Sequence, residues 1–449
     1  MLVKCVATLG PSIEKLDVLK EVSKYVDGFR INFSHGDEEQ WWKFLESVRK
    51  LEDTKFFPVI GDLQGPSIRF GEINKLQLEI GETIEIGLDS EVNIPHIEFF
   101  STVSKGDVIL TDDGKAVLKV IDKRGFKVTV KALTPAVLKP GKGVVVQGKD
   151  CPTGFITEKD KKALKFLVEA GLEYVALSYI RGANEVLKIR NMLKGLGGAD
   201  VKVISKIETR QAVENLDEII SVSDYILVAR GDLGLHFTIE EVPMIQDNIV
   251  EKAVIEGKPV MVATQILDSM VDNPIPTRAE AVDIYSAVKM GVDSLLLTEE
   301  TAIGKYPTEA VKWLKRISEK SEKSLEISRD KITVRDIKDS FIKSLVEMAE
   351  NLNAKIVIYT KSGLTAERIS KYKPLIPVYA ASGNLKAVRK LGLYRGIISL
   401  LIQAGGYEEG LEKALNFLKN EKELKQGDVA LLTYGLSDRP LHYIKLVTI

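Results

Sequence analysis

The sequence predicts an α/β protein built on a TIM (β/α)₈ barrel, with a small β-barrel lid domain inserted into it and an α/β domain after it. Three observations predict this. Short β-branched runs alternate with amphipathic helical segments, the sequence form of repeated βα units. The alternation is broken once, from about residue 67 to 148, by a stretch without helical period. No glycine-rich dinucleotide turn follows the first strand, which favours a closed barrel over an open doubly wound sheet.

Taken in order, Leu2–Thr8 reads as the first strand and Glu14–Tyr25 as its helix. Gly28–Phe33 and Pro58–Asp62 read as strands two and three, with helical Glu38–Leu51 between them. The interruption carries alternating strands such as Leu76–Ile80 and Lys127–Val130, with turn signals at Asp113-Gly114 and Arg124-Gly125. The βα rhythm resumes at Thr157, an N-cap with acidic Asp160 three residues on, opening a helix through Ala170. Strands at Tyr174–Ser178, Val201–Ile207, Tyr225–Ala229, Pro259–Thr264 and Ser294–Thr298 bring the barrel to eight. Lys315–Asp339 reads as a long helix and connector, followed by alternating strands at Lys355–Tyr359, Pro377–Ala380, Gly396–Leu400, Val429–Thr433 and Lys445–Thr448. The expected domains are therefore 1–66 with 149–325 (barrel), 67–148 (lid) and 326–449 (α/β).

Composition narrows the function. The 63 Lys and Arg nearly cancel the 64 Asp and Glu, so there is no large field to hold nucleic acid or an anionic membrane. Anionic ligands must then be held by local groups. Cys5 and Cys151 lack the spacing of a metal knuckle or a disulfide framework, and no apolar signal core or membrane-spanning stretch is present. The expected location is the cytoplasm.

In such a barrel the active site is built from the C-terminal ends of the strands. Strand two ends Arg30-Ile31-Asn32-Phe33-Ser34-His35, and a period of two puts Arg30, Asn32 and Ser34 on one face. Either Arg30 pairs internally, or it holds a phosphate beside a cation bound by the two small oxygen ligands. Strand five ends Ser205-Lys206-Ile207-Glu208, an ammonium and a carboxylate on one face, and strand six ends Ala229-Arg230-Gly231-Asp232. The Lys206–Glu208 pair reads as a simple salt bridge until Asp232 is placed beside it. Two carboxylates from adjacent strands with few other ligands are the usual way to hold Mg²⁺. Gly231 lets backbone amides approach a small anion, and strand seven adds the Thr264 hydroxyl. Together these residues describe a site for a phosphorylated carboxylic acid chelated to a divalent metal.

The same segments resemble pyruvate kinase over nearly the whole chain. The resemblance is carried by Ala7-Thr8-Leu9-Gly10-Pro11, Arg30 to Gly36, Gly65-Pro66 with Ile68-Arg69, Ile204 to Glu208, Ala229 to Gly234, Ala263-Thr264-Gln265, Pro276 to Glu280 and Glu300-Thr301-Ala302. It implies a glycolytic phosphotransferase that moves a phosphoryl group from phosphoenolpyruvate to ADP, giving pyruvate and ATP, usually as a homotetramer. It carries Glu208 and Asp232 over as ligands of Mg²⁺ (or Mn²⁺), Lys206 as the charge on the phosphoryl group in flight, and Arg30 as its anchor. The amides of Gly231 and Asp232, with Thr264, would hold the substrate carboxylate, and Thr264 would relay a proton to the enolate. Asn32, Ser34 and Asp62 match monovalent-cation ligands, while Arg69 and Lys142 match nucleotide-phosphate contacts, with Asn32 and His35 on that side. Thr360-Lys361-Ser362-Gly363-Leu364-Thr365 resembles the family's sugar-phosphate loop, so a phosphorylated allosteric effector is expected there.

Two departures stand out. Asp62-Leu63-Gln64-Gly65-Pro66-Ser67 stands where the family commonly has Asp-Thr-Lys-Gly-Pro-Glu, and Thr298-Glu299-Glu300-Thr301 replaces Ser-Gly-Glu-Thr. The missing Glu at Ser67 leads to the expectation that K⁺ is not required. The long N-terminal extension of many relatives and their tryptophan-bearing effector loop are absent. The rival reading of the strand ends is a Mg²⁺-dependent lyase or aldolase of the related pyruvate-binding barrels, which needs neither a lid after strand three nor Lys206 beside the metal.

Overall fold

The computed structural model describes residues 2–112, 114–325, 329–435 and 442–449. Eight parallel strands close the barrel: β1 (Lys4–Thr8), β2 (Gly28–Asn32), β3 (Val59–Asp62), β4 (Tyr174–Leu177), β5 (Lys202–Ile207), β6 (Tyr225–Ala229), β7 (Val260–Ala263) and β8 (Ser294–Leu297). Their alternation sorts two cores. Residues such as Phe29, Ile31, Val203 and Ile207 face the surrounding helices. Val6, Ile60, Ala176, Ile204, Leu227, Met261 and Leu296 fill the barrel interior. The next residues along the inward face, Thr8, Arg30, Asp62 and Lys206, therefore emerge above an apolar layer at the C-terminal mouth.

The Thr157 cap forms as the sequence predicts. Thr157 accepts from the Asp160 amide and Asp160 accepts from the Thr157 amide, a reciprocal capping box opening the helix Glu158–Glu169. Asp160 also accepts from the amide of Gly65, where the chain leaves for the lid. Gly65 has φ +68, and a Cβ there would lie 2.8 Å from the Ser178 carbonyl oxygen, so only glycine fits.

The lid has its own core around Phe70, Ile86, Phe99, Leu118 and Val130. Its strands form a six-stranded and a two-stranded sheet that stay open, where the expectation was a small barrel. Of the two expected turns, Arg124-Gly125 joins Ala116–Arg124 to Lys127–Ala132, and Asp113 lies outside the described residues. The segment read as a long helix and connector holds the end of the helix Pro307–Glu322, a connecting stretch with a short 3₁₀ turn at Arg329–Lys331, and the start of a further helix, Ile337–Asn351, with 326–328 outside the described residues. Asp336 caps that last helix by accepting from the Asp339 amide. Local capping thus breaks a charged stretch that a helical pattern alone would run together.

The C-terminal domain is a five-stranded sheet, Ile397–Leu401, Val378–Ser382, Lys355–Tyr359, Val429–Gly435 and His442–Thr448, with only the last strand antiparallel. It docks under the barrel floor. Leu393 joins the interior cluster, and Tyr174 and Tyr225 donate to the carbonyls of Lys390 and Leu393 at 2.6 and 3.2 Å. The mouth, at the opposite end, is left to the lid. No helix among the described residues is long and apolar enough to cross a membrane.

Candidate active site

Five charged groups meet at the mouth. Arg30 pairs with Asp62 at 2.7 Å, and Lys206 lies 3.7 Å from Asp62 and 3.1 Å from Glu208. Lys206 also donates to the Ser178 hydroxyl at 2.8 Å, and Arg30 to the Thr8 hydroxyl at 3.2 Å. Asp232 acts on both Lys206 and Glu208 through its charge. Arg30 and Lys206 are thus each ion-paired within the mouth, as the structural reading of these residues expects, and each lies beside the other charged groups.

Three acidic groups, Asp62, Glu208 and Asp232, stand there with two cations, Arg30 and Lys206. Burial disfavours the Lys206 ammonium, but Asp62, Glu208 and Asp232 outweigh it and hold its pKa above the usual lysine range. Burial pushes the Glu208 carboxyl up to about 8, against the pull of Lys206 and with the help of Asp232. Glu208 Oε2 is buried and makes no hydrogen bond; Lys206 is close enough for an ion pair but not aligned to donate to it. A buried carboxyl oxygen without a hydrogen bond, with a second carboxylate acting on it, fits a divalent cation that would replace the proton. Glu208 and Asp232 are the residues that would hold it.

At the other side of the mouth the Gly231 amide donates to Thr264 Oγ1 at 2.7 Å, and that hydroxyl donates to the Ala263 carbonyl at 2.6 Å. Thr264 and Gln265 are both left-handed, with φ 68 and 53. Asn32 accepts from the Ser34 amide at 3.1 Å. Towards the lid, Arg69 donates to the Ser67 hydroxyl and to the Gly141 carbonyl, both at 2.9 Å, and Lys142 pairs with Asp112 at 3.0 Å. Burial, then the charges of Arg69, Lys159, Arg30 and Lys142, lowers the pKa of His35, which marks this corner as electropositive.

The predicted set is not gathered into one place. Thr360 to Thr365 lie in the C-terminal domain, where Thr360 is buried and accepts from the Gly363 amide at 3.0 Å while Lys361 lies over the Tyr407 ring. Four residues of the mouth were given no role by the sequence reading. Ser178 and Tyr179 follow β4: Ser178 receives Lys206, and the Tyr179 amide donates to Glu208 Oε1 at 2.6 Å. Arg230 grips the β7 terminus, and Lys159 donates to the Ser34 carbonyl at 2.8 Å. Ser178 was legible as the polar end of a barrel strand. Arg230 stood inside a quoted motif, but its partners are carbonyls, which leave no trace in sequence.

The fold and the sequence match a known family. Residues 2–311 match the family "Pyruvate kinase, barrel domain" and residues 339–441 match "Pyruvate kinase, alpha/beta domain". The chain is 38% identical to a pyruvate kinase of Aeropyrum pernix, over 99% of this chain and 98% of that one. It is 39% identical to one of Thermotoga maritima, over 96% of each. The crystal structure of pyruvate kinase from Pyrobaculum aerophilum superposes with a TM-score of 0.90 at 39% identity, covering 99% of both chains. With its barrel, inserted lid and α/β domain matched along nearly its whole length, the chain belongs to the pyruvate kinase family, phosphotransferases acting on phosphoenolpyruvate.

Proposed function

We propose that phosphoryl transfer from phosphoenolpyruvate to ADP is carried by Arg30, Lys206, Glu208, Asp232, Gly231 and Thr264 at the barrel mouth. The observation that carries this reading is the meeting of Lys206 with Glu208 at 3.1 Å, beside Arg30 and Asp232, under a lid. Phosphoryl transfer asks a protein for positioning and charge neutralisation more than for covalent help. Arg30 anchors the phosphoryl group, and Lys206 faces the charge that grows on it in flight. A divalent cation is the family's requirement; when bound, it neutralises phosphate and carboxylate oxygens. Of the two candidates, Mg²⁺ and Mn²⁺, we favour Mg²⁺. The amides of Gly231 and Asp232, with the Thr264 hydroxyl, receive the substrate carboxylate. Thr264 Oγ1, already between an amide donor and a carbonyl acceptor, relays a proton to the enolate through water. Asn32, His35, Arg69 and Lys142 take the nucleotide side.

Asn32, Ser34 and Asp62 retain monovalent-cation oxygens that are not needed for rate, because Asp62 is already engaged by Arg30. The loop Thr360, Lys361, Ser362, Gly363 and Thr365 takes a phosphorylated effector. A homotetramer is favoured by the exposed apolar residues Val282 and Tyr285 on the helix Arg278–Lys289 and by the outer strand His442–Thr448, with Tyr443 and Leu446 exposed. The enzyme works in the cytoplasm, with no nucleic-acid or membrane partner. The lyase or aldolase reading has no support in the two family matches. A coupled assay for pyruvate, run on the wild type and on Glu208→Gln and Asp232→Asn, tests the assignment. Full activity in either variant would remove that carboxylate from the site.

A further inference from the structure

Tyr179 stands between the two carboxylates on which the proposed function rests. It follows β4 in a left-handed conformation, φ 55, that a residue with a Cβ adopts only when its surroundings impose it. The backbone amide so turned donates to Glu208 Oε1 at 2.6 Å. The phenol of the same residue donates to Asp232 Oδ1 at 3.4 Å. Among the described residues, no other side chain donates a hydrogen bond to the Asp232 carboxylate. Glu208 directly follows β5, and Asp232 lies in the first turn of the helix Arg230–His236 that follows β6. One strained residue from the neighbouring strand therefore addresses both, leaving Glu208 Oε2 as the oxygen without a hydrogen bond.

We propose that Tyr179 is a positioning residue for divalent-cation binding: its amide turns one oxygen of Glu208 away so that the other faces the site, and its phenol orients Asp232. This rests on the reading that Glu208 and Asp232 hold the cation. Donors behind a metal-binding carboxylate fix its orientation and tune its basicity. They act on affinity and leave the chemical step itself alone.

The test is Mn²⁺ binding to the full chain by electron paramagnetic resonance, without substrates, for wild type, Tyr179→Phe, Tyr179→Gly and Glu208→Gln. Tyr179→Phe keeps the ring and loses only the hydroxyl, so Mn²⁺ affinity should fall about tenfold. The Mn²⁺ concentration for half-maximal activity should rise by a similar factor, while kcat at saturating Mn²⁺ stays within about twofold. Tyr179→Gly takes up φ 55 without strain and should weaken binding at least as much, with circular dichroism of each variant as the control for folding. If Tyr179→Phe binds Mn²⁺ within about twofold of wild type while Glu208→Gln loses binding, the positioning role is overturned and the metal site stands. If Glu208→Gln binds as wild type does, the metal reading is overturned and the proposal with it.

Discussion

Arg230 donates to the carbonyl of Thr264 at 2.9 Å, fixing the residue whose hydroxyl accepts from the Gly231 amide. The same guanidinium donates to the Gln265 carbonyl at 2.7 Å and pairs with Asp283 at 2.5 Å. Two consecutive left-handed residues cost on the order of 1–3 kcal/mol each. A planar fork that satisfies both carbonyls is what keeps the turn in place. Arg230→Met is therefore expected to lower kcat by about a hundredfold through misplacement of Thr264. Arg230→Lys should recover little of it, because an ammonium cannot span the carbonyls and Asp283 together. Steady-state kinetics with circular dichroism as the fold control checks this, and near-wild-type kcat in both variants would refute it.

Lys206→Met is expected to cut kcat by several orders of magnitude and to leave phosphoenolpyruvate affinity comparatively intact. A charge aimed at the migrating phosphoryl group acts mostly in the transition state. The variant also leaves Glu208 without its paired ammonium, while Asp62 keeps Arg30, so the melting temperature should be measured alongside. Retention of more than about a tenth of the wild-type kcat would remove Lys206 from the mechanism.

Metal binding should depend on pH through Glu208. Burial raises its carboxyl from the ordinary 4.5 to about 8 in the metal-free protein, so at neutral pH a divalent cation must displace a proton. The sign follows from linkage. A carboxyl raised in the fold stabilises the protein below its unfolded value and loses that contribution as pH rises through the folded one, whereas the cation stabilises the ionised form. The gain in melting temperature from a fixed Mn²⁺ concentration should therefore widen from about pH 6.5 to about pH 8.5. Calorimetric titration near neutral pH should also detect proton release. A gain that is flat with pH would contradict the raised carboxyl.

Activity is expected not to require K⁺. Ser67 stands where relatives commonly have Glu, and its hydroxyl accepts from Arg69. Removing one negative charge a few ångströms from two anionic substrates is worth on the order of a few kcal/mol at an effective dielectric near 20, comparable to what a bound monovalent cation supplies. The measurement is kcat/KM for phosphoenolpyruvate in a tetramethylammonium buffer, with K⁺ then added at matched ionic strength. Stimulation beyond about tenfold, or roughly 1.4 kcal/mol, would rule the expectation out.

A phosphometabolite should shift the phosphoenolpyruvate saturation curve through the loop that opens the helix Leu364–Lys371. Gly363 is left-handed there, and Ser362 is exposed. Ser362→Asp places a negative charge where the phosphate would sit, so the shift should vanish while kinetics without effector stay within about twofold. An unchanged shift in the variant would move the effector elsewhere.

The sequence by itself determined the barrel, the inserted lid, the C-terminal sheet and the strand ends on which the chemistry would lie. Period-two alternation puts Arg30, Lys206 and Glu208 on the inward face whatever the neighbours do, and barrel architecture turns that face into a site. What only the tertiary structure decided is how those side chains are held. Ser178 receives Lys206, Tyr179 reaches Glu208 and Asp232 from a left-handed backbone, and Arg230 fastens the turn after β7. The openness of the lid sheets and the point within Lys315–Asp339 where helix gives way to connector were decided there too. The physical reason is common to all of them. Periodicity encodes which face a residue takes. Dihedral strain, amide donors, carbonyl acceptors and cross-strand ion pairs arise between segments far apart in the chain, and come into being only when the barrel closes.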